Sequence, residues 1–236
     1  MLRFEDESGG RWYSESQDKY DNGDKYISVT LALSIVQSFE LQNWFKKTSA
    51  GQIEKKSQAG LDRGALTHNI IENMTKGVSV DVPQEVKPAI DAYIALKEKH
   101  KIVSISDGSE IVVYHTGYGY AGTVDQVGEF EGKKTIMDYK TGRHYSIKTG
   151  WQLAAYKYAY EHMTNSSNLG MVGIFLPNEE PAKVFKYQHY ESCFIAFLCA
   201  LYSFKMTYWN KLGNWKYLRT PLLEIHGQNT SHIKQT

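Results

Sequence analysis

Apolar positions fall into helical spacing over the first hundred residues and into short alternating runs after that. Order is expected to begin at Tyr26, where Ser28 or Thr30 caps a helix with the stripe Leu33, Val36, Phe39, Leu41 and Trp44. A second helix is predicted from about Gln52 into Lys76, with Leu66, Ile70, Ile71 and Met74 on its inner face and Gly77 as its stop. Pro83 suits the first turn of a third, which runs to about His100 on Ile90, Tyr93, Ile94 and Leu96. From Ile102 the texture changes to short strands: Val103 with Ile105, Ile111 to Tyr114, Gly122 to Phe130 and Thr135 to Lys140, the last two joined at Glu131-Gly132-Lys133. A helix from about Ser146 to His162, strands at Met171 to Leu176 and Ala182 to Tyr187, and an aromatic-rich helix from Tyr190 to about Lys211 complete the pattern. The sum is an α/β chain: a mixed β-sheet core flanked by helices, with an N-terminal helical annex.

The polar stretch up to about Lys25, with Gly9, Gly10 and Asp21-Asn22-Gly23-Asp24, reads as a flexible leader over residues 1–25. Residues 26–220 then form a single domain, divided into a helical front end (26–100) and a core (101–220), and 221–236 form a polar tail. A length of 236 residues with 42% apolar and 22% charged positions supports one elaborated globular domain. The opening MLRFEDE lacks the order of a secretory signal, and the longest apolar run, Phe194 to Tyr202, is too short to cross a bilayer, so the expectation is no export and no membrane. Location is then the cytoplasm or wherever DNA is replicated, in a virus or a cell.

Cys193 and Cys199 lie on one predicted helix without zinc or redox spacing; they are expected to be buried and inert, and two cysteines do not supply an iron–sulfur cluster. A net charge of +1 gives no global attraction to nucleic acid. Locally, Lys183, Lys186, Lys205, Lys211, Lys216 and Arg219 face the single acid Glu191 and are interleaved with Tyr202, Trp209, Trp215 and Tyr217. That mixture is a candidate surface for an unpaired strand, where lysines hold phosphates and rings stack bases.

Asp125 and Asp138 stand out because each sits among residues bound for a core, and a buried carboxylate is costly unless it is paired or binds a cation. Alternation along a strand puts Asp138 and Lys140 on one face, and the Glu131 turn brings Asp125 toward them. Two hard oxygen ligands beside an ammonium suit Mg²⁺ or Mn²⁺. Gly117 to Gly122 matches the dinucleotide fingerprint G-x-G-x-x-G, but a strand follows it instead of a helix, so the glycines read as a bend between strands.

Gly122-Thr123-Val124-Asp125, then Ile136-Met137-Asp138-Tyr139-Lys140-Thr141-Gly142, then Gln152-Leu153-Ala154-Ala155-Tyr156 closely resembles the RecB-type branch of the PD-(D/E)XK nuclease superfamily. Upstream, Tyr26 to Thr30, Trp44 and Arg63-Gly64-Ala65-Leu66-Thr67-His68 with Glu72 resemble the front end of phage and mitochondrial genome-maintenance exonucleases of that branch. The resemblance implies a metal held by Asp125, Asp138, the carbonyl of Tyr139 and His68, with Lys140 beside the attacking water. A lone helical histidine is ordinarily a surface or core residue; the Arg63-Gly64 setting is what turns His68 into a ligand candidate. Gln152 and Tyr156, one turn apart, would support the site or touch DNA. Glu110 is a lower-ranked further ligand. Arg143, His144 and Lys148 suit either phosphate contact or a solvated loop.

The function implied is a metal-dependent DNA nuclease, most simply an exonuclease of replication, recombination or repair, with Mg²⁺ or Mn²⁺ as cofactor. The partner is DNA, single-stranded or with a free end, held by Arg63, Gln152, Tyr156, Lys205, Trp209 and Lys211. A flap-type endonuclease and a non-cutting nucleic-acid-binding module are the alternatives; an intact Asp125, Asp138 and Lys140 set argues against the second.

Overall fold

A computed structural model describes residues 1–7, 9–36, 50–142 and 146–208, apart from the side chains at 50, 52–56 and 106–107. In chain order the elements are β1 (Leu2–Glu5), β2 (Arg11–Ser14), α1 (Gln17–Asp21), β3 (Tyr26–Ser28), α2 (Val29–Leu33), α3 (Ala50–Thr75) and α4 (Lys87–Lys99). There follow β4 (Val103–His115), β5 (Tyr120–Phe130), β6 (Lys133–Lys140), α5 (Ile147–Thr164), β7 (Gly170–Phe175), β8 (Lys183–Tyr187) and α6 (Tyr190–Thr207). The strands form one sheet in the order β1-β2-β3-β5-β6-β7-β8, with β4 also paired to β5. Pairing is antiparallel except for β3 with β5 and β6 with β7, the latter joined by the α5 crossover. The mixed α/β sheet flanked by helices is the architecture the sequence pattern implies.

Each face of the sheet carries its own core, and alternation along the strands assigns residues to one or the other. Ile27, Val127, Ile136 and Met171 pack with Leu153 and Ala154 of α5 and with Phe197 and Leu201 of α6. Met137, Tyr139, Val172 and Ile174 pack on the opposite side with Ile70 and Ile71 of α3 and Ile90 and Tyr93 of α4. The Glu131-Gly132 connection turns β5 into β6 with φ of 52° and 78°, and Gly77, at φ 72°, follows α3 as its stop.

Several expectations are corrected. The segment read as a flexible leader is built into the sheet: β1 pairs with β2, and β2 with β3, placing Trp12 and Tyr13 in the core. Trp12 Nε1–H donates to Asp6 Oδ2 at 2.6 Å, and the Tyr13 hydroxyl meets Thr123 Oγ1 at 2.8 Å. The proline in the first turn of α4 is Pro88, the helix starting at Lys87 instead of Pro83. β4 is one long strand with a register shift between Ser104 and Ser109 in place of two short ones. Ser28 is the residue that caps α2, accepting from the Leu31 N–H at 3.1 Å. Cys199 is exposed and Cys193 half-buried, because the buried stripe of α6 runs through Phe194, Phe197, Leu201 and Phe204 and leaves position 199 outside it. Phe39, Leu41 and Trp44 lie outside the described residues, as does everything from Trp209 onward.

Candidate active site

β5 has β4 along one edge, and two strands share the other: β3 beside Tyr120 and Ala121, β6 beside Gln126 to Phe130. Gly122 to Asp125 lie between those two ladders, so β3 and β6 diverge there and open a split in the sheet. Beyond the pair Gln126↔Met137, the Asp125 side chain takes over from the ladder: its Oδ2 accepts the N–H of Tyr139 at 2.7 Å. β6 is meanwhile anchored from its other side by β7, with Leu176 N–H donating to the Lys140 carbonyl at 2.7 Å.

α3 crosses this split closely. A Cβ on Gly64 would stand 3.3 Å from Thr141 Oγ1, tighter than ordinary contact, so glycine lets the helix approach the end of β6. One turn further along α3, His68 arrives with Nε2 2.9 Å from the Tyr139 carbonyl oxygen and Nδ1 3.5 Å from Asp125 Oδ1. Glu110 joins from the irregular part of β4, with a left-handed φ of 51° that aims it inward. Ligand atoms of His68, Glu110 and Asp125 all lie within 4.8 Å of one another.

Asp138 and Lys140 point to one face, as alternation requires, and Lys140 Nζ lies 2.7 Å from Asp138 Oδ2. The other carboxylate oxygen accepts from Gln152 Nε2 at 3.0 Å, and the same amide nitrogen donates to the Tyr156 hydroxyl at 3.0 Å. Gln152 and Tyr156 thus act together through one face of α5. That face comes close to β5: a Cβ on Gly122 would meet the Tyr156 ring at 2.5 Å, so only glycine fits beside it.

The charges are strongly coupled. Burial works against the His68 cation, but the Asp125 carboxylate outweighs it and carries the imidazole pKa up to about 9. Burial likewise pushes Asp125 up, and His68, Lys140 and the Tyr139 N–H overrule it and hold that acid below its ordinary value. Asp138, wholly buried, is pushed up to about 6, chiefly by desolvation, with Lys140 opposing. Glu110 rises to about 7 through burial and the neighbouring Asp125 and Glu72 charges. Burial lowers the Lys140 ammonium, but the acids win and its pKa is raised. Such a set, an imidazole, carboxylates and a backbone carbonyl around one point, has the donor chemistry of a divalent-cation site. Two carboxylates driven apart in pKa beside an ammonium are also a common mark of a reacting centre.

The structure therefore brings together His68, Asp125, Tyr139, Asp138, Lys140, Gln152 and Tyr156, and it draws in Glu110 more closely than its low rank from sequence implied. The signal for Glu110 was its place one strand before Asp125; the backbone kink that turns it inward has no sequence signature. Arg63 is exposed on α3 and lines a small pocket with Thr67, Thr141, Asn178 and Glu179 beside the end of β6. Lys205, expected as a DNA contact, does not reach the surface: it is 3% exposed and donates to the Tyr118 carbonyl at 2.7 Å. Position 205 follows Leu201 by one helical turn, so the phase of the apolar stripe could have placed it inward where its charge alone suggested outward. Trp209 and Lys211, with Arg143 and His144, lie outside the described residues.

The family model of the PD-(D/E)XK nuclease superfamily matches residues 39–196, a span that contains every residue of the cluster. The chain aligns with the crystal structure of a candidate exonuclease from Eubacterium rectale at 10% identity and a TM-score of 0.47, covering 95% of this chain and 96% of that one. No curated protein matches it in sequence.

Proposed function

From a chain that belongs to the PD-(D/E)XK nuclease superfamily, we propose a metal-dependent deoxyribonuclease, an exonuclease serving replication, recombination or repair. The observation that carries this reading is the convergence at the strand split: His68 Nε2 at 2.9 Å from the Tyr139 carbonyl, Asp125 beneath both, and the Asp138–Lys140 pair at 2.7 Å on the next strand. The donor set fits a divalent cation, with His68, Asp125 and the Tyr139 carbonyl as ligands, Asp138 adding a second carboxylate from β6 and Glu110 a third from β4. A divalent cation held there, Mg²⁺ or Mn²⁺, would supply Lewis-acid chemistry, making water a better nucleophile and offsetting charge on the phosphate.

The protein's own groups do the rest. Lys140 holds a positive charge where negative charge grows on the phosphoryl oxygens, and it orients the water for in-line attack. Gln152 fixes Asp138 Oδ1, so that the acid keeps one oxygen engaged and its rotamer locked. Tyr156, bonded to Gln152, holds that amide in register. Arg63 at the neighbouring pocket supplies a contact for the strand that enters the site. The similarity of the front end to genome-maintenance exonucleases supports a substrate with an unpaired strand or a free end.

The deciding assay follows end-labelled single- and double-stranded DNA, a covalently closed duplex and an RNA strand, with and without Mn²⁺ or Mg²⁺. Metal-dependent shortening of linear DNA, absent in Asp138→Asn, is the expected result. No cleavage of any strand at millimolar metal would overturn the nuclease reading, and equal cutting of the closed duplex would overturn its exonuclease form.

A further inference from the structure

Lys148, Gln152 and Tyr156 recur one helical turn apart and therefore form one stripe along α5. The second and third members lie over Asp138. Lys148, one turn of about 5.4 Å nearer the start of the helix, extends the same wall away from the acids. Its ammonium donates to the Val36 carbonyl at 2.9 Å, beside α2, whose Val29 lines the space next to Tyr156 at Gly122.

This lysine differs from its neighbour on the same helix. Lys157 is more deeply buried, yet it pairs with Glu161 at i+4. The position one turn after Lys148 is Gln152, whose amide is committed to Asp138. Burial is what acts on the Lys148 ammonium, lowering its pKa, and among the described residues no carboxylate pushes the other way. A half-buried cation that, among the described residues, donates to one carbonyl keeps most of its capacity to bind an anion.

We infer that Lys148 forms a subsite for a non-scissile phosphate of the substrate strand, adjacent to the phosphate that faces Lys140. The inference rests on the nuclease reading and adds to it a residue that sets where the strand lies. In this role Lys148 is a positioning residue: it grips the backbone one step from the reacting bond, and its Val36 tether holds the ammonium ready in the absence of DNA.

The test measures binding of a labelled single-stranded DNA by full-length Asp138→Asn protein, with Lys148 intact, as Lys148→Ala and as Lys148→Arg, across a range of salt. Lys148→Ala is expected to weaken binding about tenfold and to reduce the slope of log Kd against log salt by about 0.7, the increment for one phosphate on a single strand. Lys148→Arg should restore both. An unchanged slope in Lys148→Ala, with or without a fall in melting temperature, reduces the residue to a tie between α5 and α2 and overturns the subsite. A parallel cleavage assay of the unmutated protein separates the two readings: metal-dependent cutting with an unchanged slope sinks only the subsite, and no cutting sinks both.

Discussion

Asp125 accepts the main-chain N–H of Tyr139 at 2.7 Å, at the point where β5 and β6 cease to pair. One carboxylate thus closes a backbone vacancy and leaves its second oxygen facing His68 at 3.5 Å. The two duties predict different phenotypes. Asp125→Asn retains an oxygen for the Tyr139 N–H and should fold while losing cleavage. Asp125→Ala leaves that buried donor unmatched and should in addition lose about 1–3 kcal/mol of stability. Denaturant melts of both variants check this, and equal stability would detach Asp125 from the backbone role.

Asp138→Asn and Lys140→Ala should each reduce turnover by at least about a hundredfold, a loss of several kcal/mol of transition-state stabilisation, without unfolding the protein. The fold survives loss of Lys140 because the Asp138 carboxyl, already raised to about 6, rises further and takes up a proton instead of remaining a bare buried charge. Single-turnover cleavage alongside thermal unfolding gives the answer. Near-normal rates in either variant would remove the pair from the chemistry.

Metal affinity should increase with pH between about 6 and 9. With a pKa of about 9, His68 is protonated at neutral pH, and coordination requires the neutral ring, so a cation must displace a proton; Glu110, near 7, adds part of another at the acid end. For stability the sign is opposite. A pKa raised above the unfolded value gives stability that is complete below about 6.5 and is lost as pH rises toward 9. Titration calorimetry in buffers of different ionisation enthalpy should record proton release on Mn²⁺ binding, and His68→Ala should lose most of it. Metal binding without proton release would place His68 outside the ligand set.

Lys205 predicts a second pH effect, remote from the acids. Burial lowers its pKa to about 8 from 10.5, so between those values the unfolded chain holds a proton that the folded chain has lost, and stability rises with pH across that window. Below pH 8 the penalty is present in full. Lys205→Met removes the titrating group and should therefore flatten the stability profile from pH 8 to 10.5. A destabilised variant with the wild-type profile would contradict this.

What the sequence revealed and what it hid follow from the range of the interactions. The β5–β6 hairpin was readable because Glu131-Gly132 is a local turn and the alternation on either side is local too. Placing Asp125, Asp138 and Lys140 together needed no more than that hairpin. Arg11 to Ser14 looks like a loose leader from its polar, glycine-bearing surroundings; its β1 partner is local, but what fixes the hairpin in the sheet is Tyr26 and Ile27 of β3 and the remote Thr123. Charge alone points Lys205 outward, whereas the helix phase that follows Leu201 turns it inward. Glu110 depends on a single left-handed residue within a strand, for which glutamate gives no warning.

The hydrogen bond between Tyr13 and Thr123 spans 110 positions of sequence, and the β3–β5 ladder beside it, pairing Ile27 with Tyr120, also joins remote segments. The meander β4–β5–β6 that carries Asp125, Asp138 and Lys140 is by contrast made of neighbours in the chain. Closing so long a loop is entropically slow, and folding rate falls as contacts become more remote. The local meander carrying the acids is therefore expected to form first, and the opposite wall of the split last. During refolding, secondary structure should return before cleavage does, because an immature chain would hold its carboxylates beside an incomplete split.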